Sequence, residues 1–415
     1  MAVIPVSEPA DLAIGGVPVS ELAATYGTPL HLIDLDELEL EIDRFARSFG
    51  ARGITVGYAG KAFLCIALAE HLAATALRLD VCSLGELLTA ERGGMPRERL
   101  YFHGCGKTYE ELRAIADGRV AFNVIDNCEE LEALAAIAAG GASVDVMLRI
   151  NTGIEAHTHE YVRTTGENSK FGIPLANVDA VLARLRDLPQ LRLIGLHSHI
   201  GSSITEIAPF VENVELLVRL ADRARELGHP IVELIAGGGI GVEERPSDSR
   251  PVDFDALAQA LLGAAAGTTY RLAIEPGRAL IARSGSTLYT VKSRKMQGER
   301  AFVIVDGGMA DNPRPLIYGS YHHVQVVHSR AARAAVATTL CGRSCENDKL
   351  GDFELPPDLA AGDLLAMRTT GAYTYSMASN YNRFGRPPVV FVRDGSHRRV
   401  IRAERPEDVL RNDLG

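Results

Sequence analysis

The sequence contains no tryptophan, and only 6% of its residues are aromatic. It lacks the run of roughly 20 apolar residues that a membrane-spanning helix needs. Its first residues, MAVIPVSEPADLAIGG, carry acids where a secretory signal would carry bases. It also has no basic excess, since 53 acidic residues outnumber 43 basic ones and give a net charge of −10. We therefore expect a cytoplasmic protein that binds neither nucleic acid nor membrane.

Cysteine is scarce, with six residues at positions 65, 82, 105, 128, 341 and 345. Such a low content is typical of reduced thiols in a cytosolic enzyme. Only Cys341 and Cys345 are close in sequence, and neither a second pair nor a nearby histidine completes a zinc site. We therefore predict no metal cofactor.

The length and the composition indicate a folded protein of two domains. A chain of 415 residues is long for one domain and suits two. Hydrophobic residues make up 47% and charged residues 23%, which is ordinary for a globular enzyme. Intrinsic disorder would need low hydrophobicity together with high net charge, and the sequence shows neither.

Short apolar runs alternate with helical patterns between residues 54 and 277. CEELEALAAIAA (128–139) and PFVENVELLVRLADRARELG (209–228) have apolar residues at helical spacing. Strands that alternate with helices pair in parallel, and eight such units are the number in a (β/α)8 barrel. An open doubly wound sheet is the alternative that the pattern leaves. The runs are ITVGYAG (54–60), LRLDVCS (77–83), RLYFHG (99–104), VAFNVID (120–126), VDVMLRI (144–150), LRLIGLHSHI (191–200), IVELIAGG (231–238) and YRLAIEPG (270–277).

The pattern changes after residue 280, where strand-like segments are broken by glycine and proline. We predict a barrel over 41–280, of the α/β class, and a C-terminal, mainly β domain over 281–415. Residues 1–40 form an N-terminal segment in which PLHLIDLDEL (29–38) is predicted as a strand that joins the β domain. The strand-like segments are STLYTVKSRKMQ (286–297), RAFVIVDGG (300–308), HHVQVVH (322–328) and PPVVFVRDG (387–395).

Lys61 follows the first predicted barrel strand, in VGYAGKAF. Catalytic groups of such barrels project from the carboxyl ends of the strands. We expect this lysine to be partly desolvated, which would lower its pKa and supply the neutral amine that a Schiff base requires. The alternative is an ordinary surface lysine on a loop.

Two glycine-containing motifs follow the last two predicted barrel strands. GGGIG (237–241) follows the seventh strand, and EPGR (275–278) follows the eighth. Barrels commonly bind phosphate at these two loops, because backbone N–H groups can approach an anion closely where the residues are glycines. A plain tight turn is the alternative for a glycine run alone.

HSHIGSS (197–203) ends the sixth predicted strand and allows three interpretations. His197 and His199 could bind a metal, or an imidazole could stack on a planar cofactor while Ser202 donates to its phosphate. Packing at the barrel mouth is the third. Glu275, at a strand end, could likewise be a metal ligand, an ion-pair partner or the partner of a protonated pyridine nitrogen.

Two further clusters lie in the predicted β domain, CGRSCENDKL (341–350) and GAYTYSMASNYN (371–382). Their cysteine, acidic and tyrosine residues could carry chemistry on loops, or they could simply be polar turns.

Taken together, these segments resemble the fold-type III pyridoxal-phosphate decarboxylases, and most closely the branch that acts on diaminopimelate. The resemblance covers residues 20–395 and implies an alanine racemase-like barrel with a C-terminal β domain. The matching segments, in order, are YAGKA, DVCSLGEL, HGCGK, RINTGIEAHTHEYVRTTGENSKFGI, GLHSHIGSS, GGGIG, EPGR, DGGMADNPRPLIYG, CGRSCEND and GAYTYSMASNYN.

The resemblance implies pyridoxal 5′-phosphate as cofactor and assigns roles to its contacts. Lys61 corresponds to the lysine that forms the Schiff base, His199 to the histidine on the pyridine ring, and Glu275 to the partner of the ring nitrogen. The other cofactor-binding residues that it implies are Ser202, Gly239, Gly277, Arg278 and Tyr373.

The resemblance also implies a catalytic cysteine, Cys345, that reaches the active site of a neighbouring subunit. A homodimer with shared active sites follows from that role. Arg314 and Tyr318 correspond to the pair that binds the distal carboxylate of the substrate, and Glu346 to the acid that holds its distal ammonium. The substrate-binding residues implied are Arg278, Arg314, Tyr318, Glu346 and Tyr373.

For this branch the implied reaction is decarboxylation of meso-2,6-diaminopimelate to L-lysine and carbon dioxide, the last step of lysine biosynthesis. One alternative is a decarboxylase of the same fold that acts on ornithine, arginine or a carrier-linked aminoacyl group. An amino-acid racemase and a vitamin-phosphate-binding barrel are two others, and the C-terminal β domain argues against the last.

Three features depart from the usual family pattern. The family often reads KAN at the lysine, and here Ala62 and Phe63 follow Lys61. Thr152 replaces a proline, and CENDKLGDFELP is a less usual form of the cysteine loop, with Lys349 close to the site. The last of these bears on substrate preference. The polar segment 156–170 is a candidate mobile loop over the substrate.

Overall fold

A computed structural model describes residues 12–154, 169–243, 252–327 and 335–414. The chain divides into two compact units. One unit, here called the barrel unit, comprises Ile42–Val242 and Ser249–Leu280. The other, here called the β unit, comprises Met1–Glu41, Glu243–Asp248 and Ile281–Gly415.

The N-terminal elements precede the barrel. They are β1 (Ala13–Ile14), β2 (Val17–Pro18), α1 (Val19–Tyr26), β3 (Leu30–Asp34) and α2 (Leu35–Ser48).

The barrel unit alternates strands and helices along the chain. Its strands are β4 (Thr55–Ala59), β5 (Arg78–Val81), β6 (Leu100–Phe102), β7 (Phe122–Ile125), β8 (Val144–Asn151), β9 (Ile173–Pro174), β10 (Leu191–His197), β11 (Glu233–Ile235) and β12 (Arg271–Ile274). Its helices are α3 (Ile66–Ala73), α4 (Leu84–Arg92), α5 (Tyr109–Ala116), α6 (Cys128–Ile137), α7 (Val178–Arg186), α8 (Ala208–Glu226) and α9 (Phe254–Ala264).

The C-terminal part is mainly β structure. Its helices are α10 (Arg278–Ile281), α11 (Arg314–Tyr318) and α12 (Pro406–Leu410). Its strands are β13 (Gly285–Gln297), β14 (Arg300–Val305), β15 (Val324–Val326), β16 (Val336–Cys341), β17 (Lys349–Leu355), β18 (Leu364–Arg368), β19 (Val389–Arg393) and β20 (Ser396–Ile401).

The sheet of the barrel unit is closed and parallel. Its strands follow the order β10–β11–β12–β4–β5–β6–β7–β8, and β10 also pairs with β8 through Leu191 and Val144. Because this pairing closes the ring, the open doubly wound alternative is excluded. Within the described residues, each of the eight predicted apolar runs overlaps one strand of the ring, and only β8 extends beyond its run, by one residue. The (β/α)8 prediction is therefore confirmed.

The helices around the barrel form where the sequence pattern predicts them. In α8 the residues Phe210, Val214, Leu217 and Ala221 are buried at helical spacing, with charged residues between them. α6 lies within the predicted segment 128–139. The interior of the sheet is packed by the buried residues Tyr101, Val124, Met147, Ile194, Ile235 and Ala273. A packed interior leaves the carboxyl ends of the strands as the place for a site.

The β unit has a mixed sheet in the order β17–β16–β14–β13–β3–β19–β20, with β18 and β15 joined to β13. The strand suggested at 29–38 is β3, which pairs with β13 in antiparallel and with β19 in parallel orientation. The four predicted strand segments contain β13, β14, β15 and β19. The pattern did not single out β16, β17, β18 or β20.

Among the described residues, no helix combines the length and apolar character needed to cross a membrane. The predicted mobile loop 156–170 falls outside the described residues, apart from its last two positions.

Candidate active site

Lys61 lies in a short turn, Gly60–Ala62, directly after β4. Gly60 is required there, because a Cβ atom would lie 2.7 Å from the carbonyl oxygen of Asp80. The side chain of Lys61 is exposed, contrary to the expectation that it is partly desolvated. The reason is that the turn places the lysine beyond the carboxyl end of β4, at the mouth of the barrel.

His199 follows β10 and lies against the glycine run after β11. The N–H of Gly238 donates to Nδ1 of His199 over 3.2 Å. Burial lowers the pKa of His199 well below its usual range, and the nearby cations Lys61 and Arg149 add to the effect. The imidazole is therefore neutral at physiological pH and sits close to Lys61.

The loops after β10, β11 and β12 are tied together by close backbone contacts. The amide of Ile204 donates to the oxygen of Gly239 over 2.9 Å, and that of Glu275 donates to the oxygen of Gly237 over 2.8 Å. A Cβ atom on Gly239, whose φ is +94°, would lie 2.0 Å from the oxygen of Gly201. These glycines are therefore needed to bring the loop of Ser202 beside the glycine run.

Glu275 lies directly after β12, is 7% exposed and contacts two imidazoles. Oε2 of Glu275 is 3.0 Å from Nε2 of His197, the last residue of β10. Oε1 of Glu275 is 3.2 Å from Nε2 of His103, which follows β6. The two imidazole rings lie edge to face with their centroids 4.8 Å apart. Three different strands thus bring these groups together at one end of the barrel.

The charge of this cluster follows from burial and from these contacts. Burial alone would raise the pKa of Glu275, but His103 and His197 outweigh it and hold that pKa well below its usual range. Burial lowers the pKa of His197 to about 4. Both directions agree with a neutral His197 that donates its Nε2–H to an ionised Glu275. Burial and the nearby Glu275 raise the pKa of Asp80 well above its usual range.

Arg278 and Gly277 lie at the start of α10, just after Glu275. Arg278 is 8% exposed, and Gly277 is buried and accepts a backbone hydrogen bond from Leu280 over 3.2 Å. A buried guanidinium at this loop is a suitable partner for a phosphate or a carboxylate.

The groups at the carboxyl ends of the barrel strands fit pyridoxal phosphate. An exposed amine (Lys61) could bind an aldehyde, a neutral imidazole (His199) could contact an aromatic ring, and a buried carboxylate (Glu275) could accept a ring N–H. The loops after β10, β11 and β12 approach one another through glycines, as a phosphate cradle requires. The predicted residues in this unit are Lys61, His199, Ser202, Gly239, Glu275, Gly277 and Arg278.

A second group of predicted residues lies in the β unit around Arg314. This arginine is the first residue of α11 and is 4% exposed. Its guanidinium carbon lies 5.4 Å from the ring centroid of Tyr318 and 5.7 Å from that of Tyr373. Nη2 of Arg314 donates to Oγ of Ser320 over 2.8 Å. The arrangement holds a buried cation between two aromatic rings, which suits the binding of a carboxylate.

The remaining predicted residues, Cys345 and Glu346, lie on the loop between β16 and β17 and are exposed. The N–H of Cys345 donates to Oδ1 of Asn382 over 3.1 Å. The hydroxyl of Tyr381 donates to Oε1 of Glu346 over 2.6 Å. The GAYTYSMASNYN segment therefore supports the cysteine loop.

Asp348 fixes the other end of this loop. It is 2% exposed and accepts hydrogen bonds from the N–H of Met309 over 2.5 Å and from that of Ser344 over 2.8 Å. A Cβ atom on Gly308 or Gly342 would lie 2.3 Å from Oδ2 of Asp348. Both positions therefore need glycine, because any larger residue would collide with the carboxylate of Asp348.

Several residues of the site were not assigned roles from the sequence. Asp80 and His103 lie within the quoted segments DVCSLGEL and HGCGK, and Asp348, Tyr381 and Asn382 lie within the two β-unit motifs. Their positions within the motifs indicated that these residues lie near a site, but only the fold shows which side chains they contact.

Comparisons with known proteins agree with this geometry. Residues 35–282 match the family model described as the pyridoxal-binding domain of pyridoxal-dependent decarboxylases. The diaminopimelate decarboxylase of Actinosynnema pretiosum subsp. auranticum is 42% identical over 98% of this chain and 93% of its own length. That of Bacillus subtilis is 38% identical over 97% of this chain and 95% of its own length.

A solved structure shows the same likeness. The crystal structure of diaminopimelate decarboxylase from Helicobacter pylori complexed with L-lysine superimposes with a TM-score of 0.88 and 29% sequence identity. The superposition covers 94% of this chain and 98% of that structure.

Proposed function

We propose that this chain, which belongs to the pyridoxal-dependent decarboxylases and within them to the diaminopimelate decarboxylases, converts meso-2,6-diaminopimelate to L-lysine and carbon dioxide. This would be the last step of lysine biosynthesis. The observation that carries the proposal is the convergence of an exposed amine, a neutral imidazole and an ionised buried carboxylate at one end of the barrel. This is the donor set that pyridoxal phosphate requires.

We propose that the barrel unit holds the cofactor. Lys61 would bind its aldehyde, and Ser202, Gly239, Gly277 and Arg278 would surround its phosphate. When bound, pyridoxal phosphate supplies an electron sink for the electron pair that is left when the α-carboxylate departs. Glu275 would accept the hydrogen bond of the protonated ring nitrogen, and His199 would contact the ring without adding charge.

We propose that Arg314 binds the distal carboxylate of the substrate. Its guanidinium is buried between Tyr318 and Tyr373, where a carboxylate gains more from pairing than it would in water. Glu346 would hold the distal ammonium group, and Arg278 is a further contact for substrate or phosphate. A substrate without a distal carboxylate, such as ornithine, would lack the group that Arg314 is proposed to bind.

We propose that Cys345 protonates the α-carbon as a general acid, acting in the active site of a second copy of the chain. Its exposure and that of Glu346 support this role, because both side chains project away from the core of their unit. The enzyme would then be a homodimer with shared active sites. The acidic composition and the six free thiols support a cytoplasmic location.

The test is carbon dioxide release by purified protein with added pyridoxal phosphate, compared among meso-diaminopimelate, ornithine, arginine and lysine. We expect rapid release from diaminopimelate only. Borohydride should attach the cofactor covalently to the wild type, as measured by mass spectrometry, and Lys61→Ala should show neither attachment nor turnover. Turnover of ornithine or arginine instead would replace the substrate assignment and the role of Arg314.

A further inference from the structure

We propose that His103 and His197 are positioning residues that hold Glu275 from both sides, one imidazole at each carboxylate oxygen, and that Asp80 completes a cluster with a single negative charge. The cluster would fix the orientation and the charge of the carboxylate that meets the ring nitrogen of the cofactor. This inference rests on the proposed function and extends it to residues that do not themselves touch the cofactor.

The geometry places one imidazole at each oxygen of Glu275. Nε2 of His197 is 3.0 Å from Oε2, and Nε2 of His103 is 3.2 Å from Oε1. The three side chains are buried or nearly so, and their closest atoms all lie within 4.8 Å of one another. His197 makes a hydrogen bond to Oε2, and the His103 ring lies within ion-pair distance of Oε1. The two rings therefore confine the carboxylate from both sides, and each oxygen keeps a lone pair for another donor.

The imidazoles come from strands that are distant in sequence. His103 follows β6, His197 ends β10 and Glu275 follows β12. Because each side chain starts from a different strand end, the carboxylate is fixed by the closed sheet and not by its own loop. Such support from outside the contacting residue is the usual means of holding a functional group in a productive orientation.

Asp80, on β5, lies beside this cluster. Its Oδ1 is 3.9 Å from Nε2 of His103, too far for a hydrogen bond. Gly57 separates Asp80 from Glu275, and a Cβ atom there would lie 3.2 Å from Oδ1 of Asp80 and 3.5 Å from Cγ of Glu275. Because imidazole nitrogens lie 3.0 and 3.2 Å from the oxygens of Glu275 but 3.9 Å from Asp80, we assign the negative charge to Glu275 and the proton to Asp80.

The other charged groups near the cluster are consistent with this assignment. Lys61, Arg78 and Arg149 are the cations close to it, Glu86 is a further acid near Asp80, and His199 is the third imidazole. Burial keeps the pKa of both His197 and His199 below the usual value. His197 therefore acts as a neutral hydrogen-bond donor to Glu275. A neutral donor orients a carboxylate and leaves its charge available to a protonated ring nitrogen, whereas a bidentate arginine would neutralise it.

The experiment replaces each histidine in two ways. His103→Phe and His197→Phe keep a ring but remove the donor, whereas His103→Gln and His197→Gln place an amide N–H near the position of Nε2. If a Phe variant does not fold, His→Asn replaces it, because its shorter amide cannot reach Glu275. His229→Gln is the matched control, since His229 is buried in the same unit and bonds the oxygen of Leu182 over 2.9 Å.

The main readout is the protonation of the cofactor ring nitrogen, followed by NMR with nitrogen-labelled pyridoxal phosphate bound to each protein. We expect the signal of a protonated nitrogen in the wild type, a shift toward the unprotonated signal in the Phe variants, and recovery in the Gln variants. The kcat should fall about ten- to a hundredfold in the Phe variants, the loss typical when the partner of a functional group is removed. The KM for diaminopimelate should stay within about threefold, because the substrate is not contacted.

Several results would overturn the inference. One is an unchanged signal of the ring nitrogen in the Phe variants. Another is a loss of kcat that is equal in the Gln and Phe variants, or that also occurs in His229→Gln. A third is a stoichiometric metal ion that is bound by the wild type and absent when either His103 or His197 is replaced. Wild-type protein that binds no pyridoxal phosphate or releases no carbon dioxide would instead reject the proposed function. If the wild type is active and the histidine variants keep its nitrogen signal and its kcat, this inference alone would be rejected.

Discussion

The two groups of site residues are held in different ways. At the barrel mouth, Glu275, His103 and His197 are fixed by one another, and each side chain comes from a different strand of a closed sheet. On the cysteine loop of the β unit, Cys345 and Glu346 are exposed and are held by Asn382, Tyr381 and a loop fixed by Asp348.

The difference indicates that the two regions do different work. A buried cluster of mutually bonded groups can set the charge of a cofactor partner, because burial strengthens every electrostatic interaction within it. An exposed thiol and carboxylate on a supported loop are suited to reach a target outside their own unit. Mutations in the two regions should therefore have distinguishable effects on cofactor binding and on activity.

The largest effect is expected for Cys345→Ala. Removing a general acid should lower kcat by roughly a hundred- to ten-thousandfold. Cofactor absorbance should remain as in the wild type, because the barrel unit is untouched. Cys128→Ala is the control, since Cys128 is also exposed and free but begins α6. Full activity of the Cys345 variant would remove the thiol from the mechanism and the dimer argument with it.

A smaller effect is expected for Asp348→Ala, which tests whether the cysteine loop is held by this carboxylate. Loss of the acceptor for two partly buried N–H groups should cost about 1–3 kcal/mol of unfolding free energy. The kcat should fall about tenfold or more while cofactor binding is kept. Alkylation of Cys345 by iodoacetamide, followed by peptide mass spectrometry, should change in rate. An unchanged alkylation rate with lowered kcat would contradict a positioning role.

The last effects concern stability away from neutral pH and not activity, and here buried groups of the two units should act with opposite sign. Burial lowers the pKa of His197 to about 4 and raises that of Asp311 to about 7. His197 is neutral in the folded protein, so its contribution is present above the unfolded pKa of about 6.5 and is lost as pH falls toward 4. Asp311 keeps its proton in the folded protein, so its contribution is lost as pH rises from about 4 to 7.

Each of these two contributions is on the order of 3–4 kcal/mol. His197→Gln should flatten the acid side of the stability profile, and Asp311→Asn should flatten the fall between pH 4 and 7. Denaturant unfolding at a series of pH values measures both. Parallel profiles for wild type and Asp311→Asn would show that Asp311 ionises with its ordinary pKa despite its burial.

The barrel was predictable because its signal is local and repeats. Each of the eight apolar runs coincides with a strand of the ring to within a residue beyond its ends, and the helical patterns at 128–139 and 209–228 overlap α6 and α8. The β unit was less predictable, since β16, β17, β18 and β20 lack a comparable contrast with their surroundings. The exposure of Lys61 was also missed, because the sequence does not show how far a turn projects beyond a packed strand.

The sequence by itself determined the strands and helices of the barrel, the glycine positions of the cradle and the order of the motifs that carry the family resemblance. These depend on spacing and on backbone freedom, which are properties of neighbouring residues. Only the tertiary structure decided that Glu275 meets His103 and His197, that Asp80 lies beside this cluster, and that Asp348 and Asn382 support Cys345. Those pairings depend on which strand ends converge and on how far each group is withdrawn from water, and both follow from closure of the sheet and packing of the whole unit.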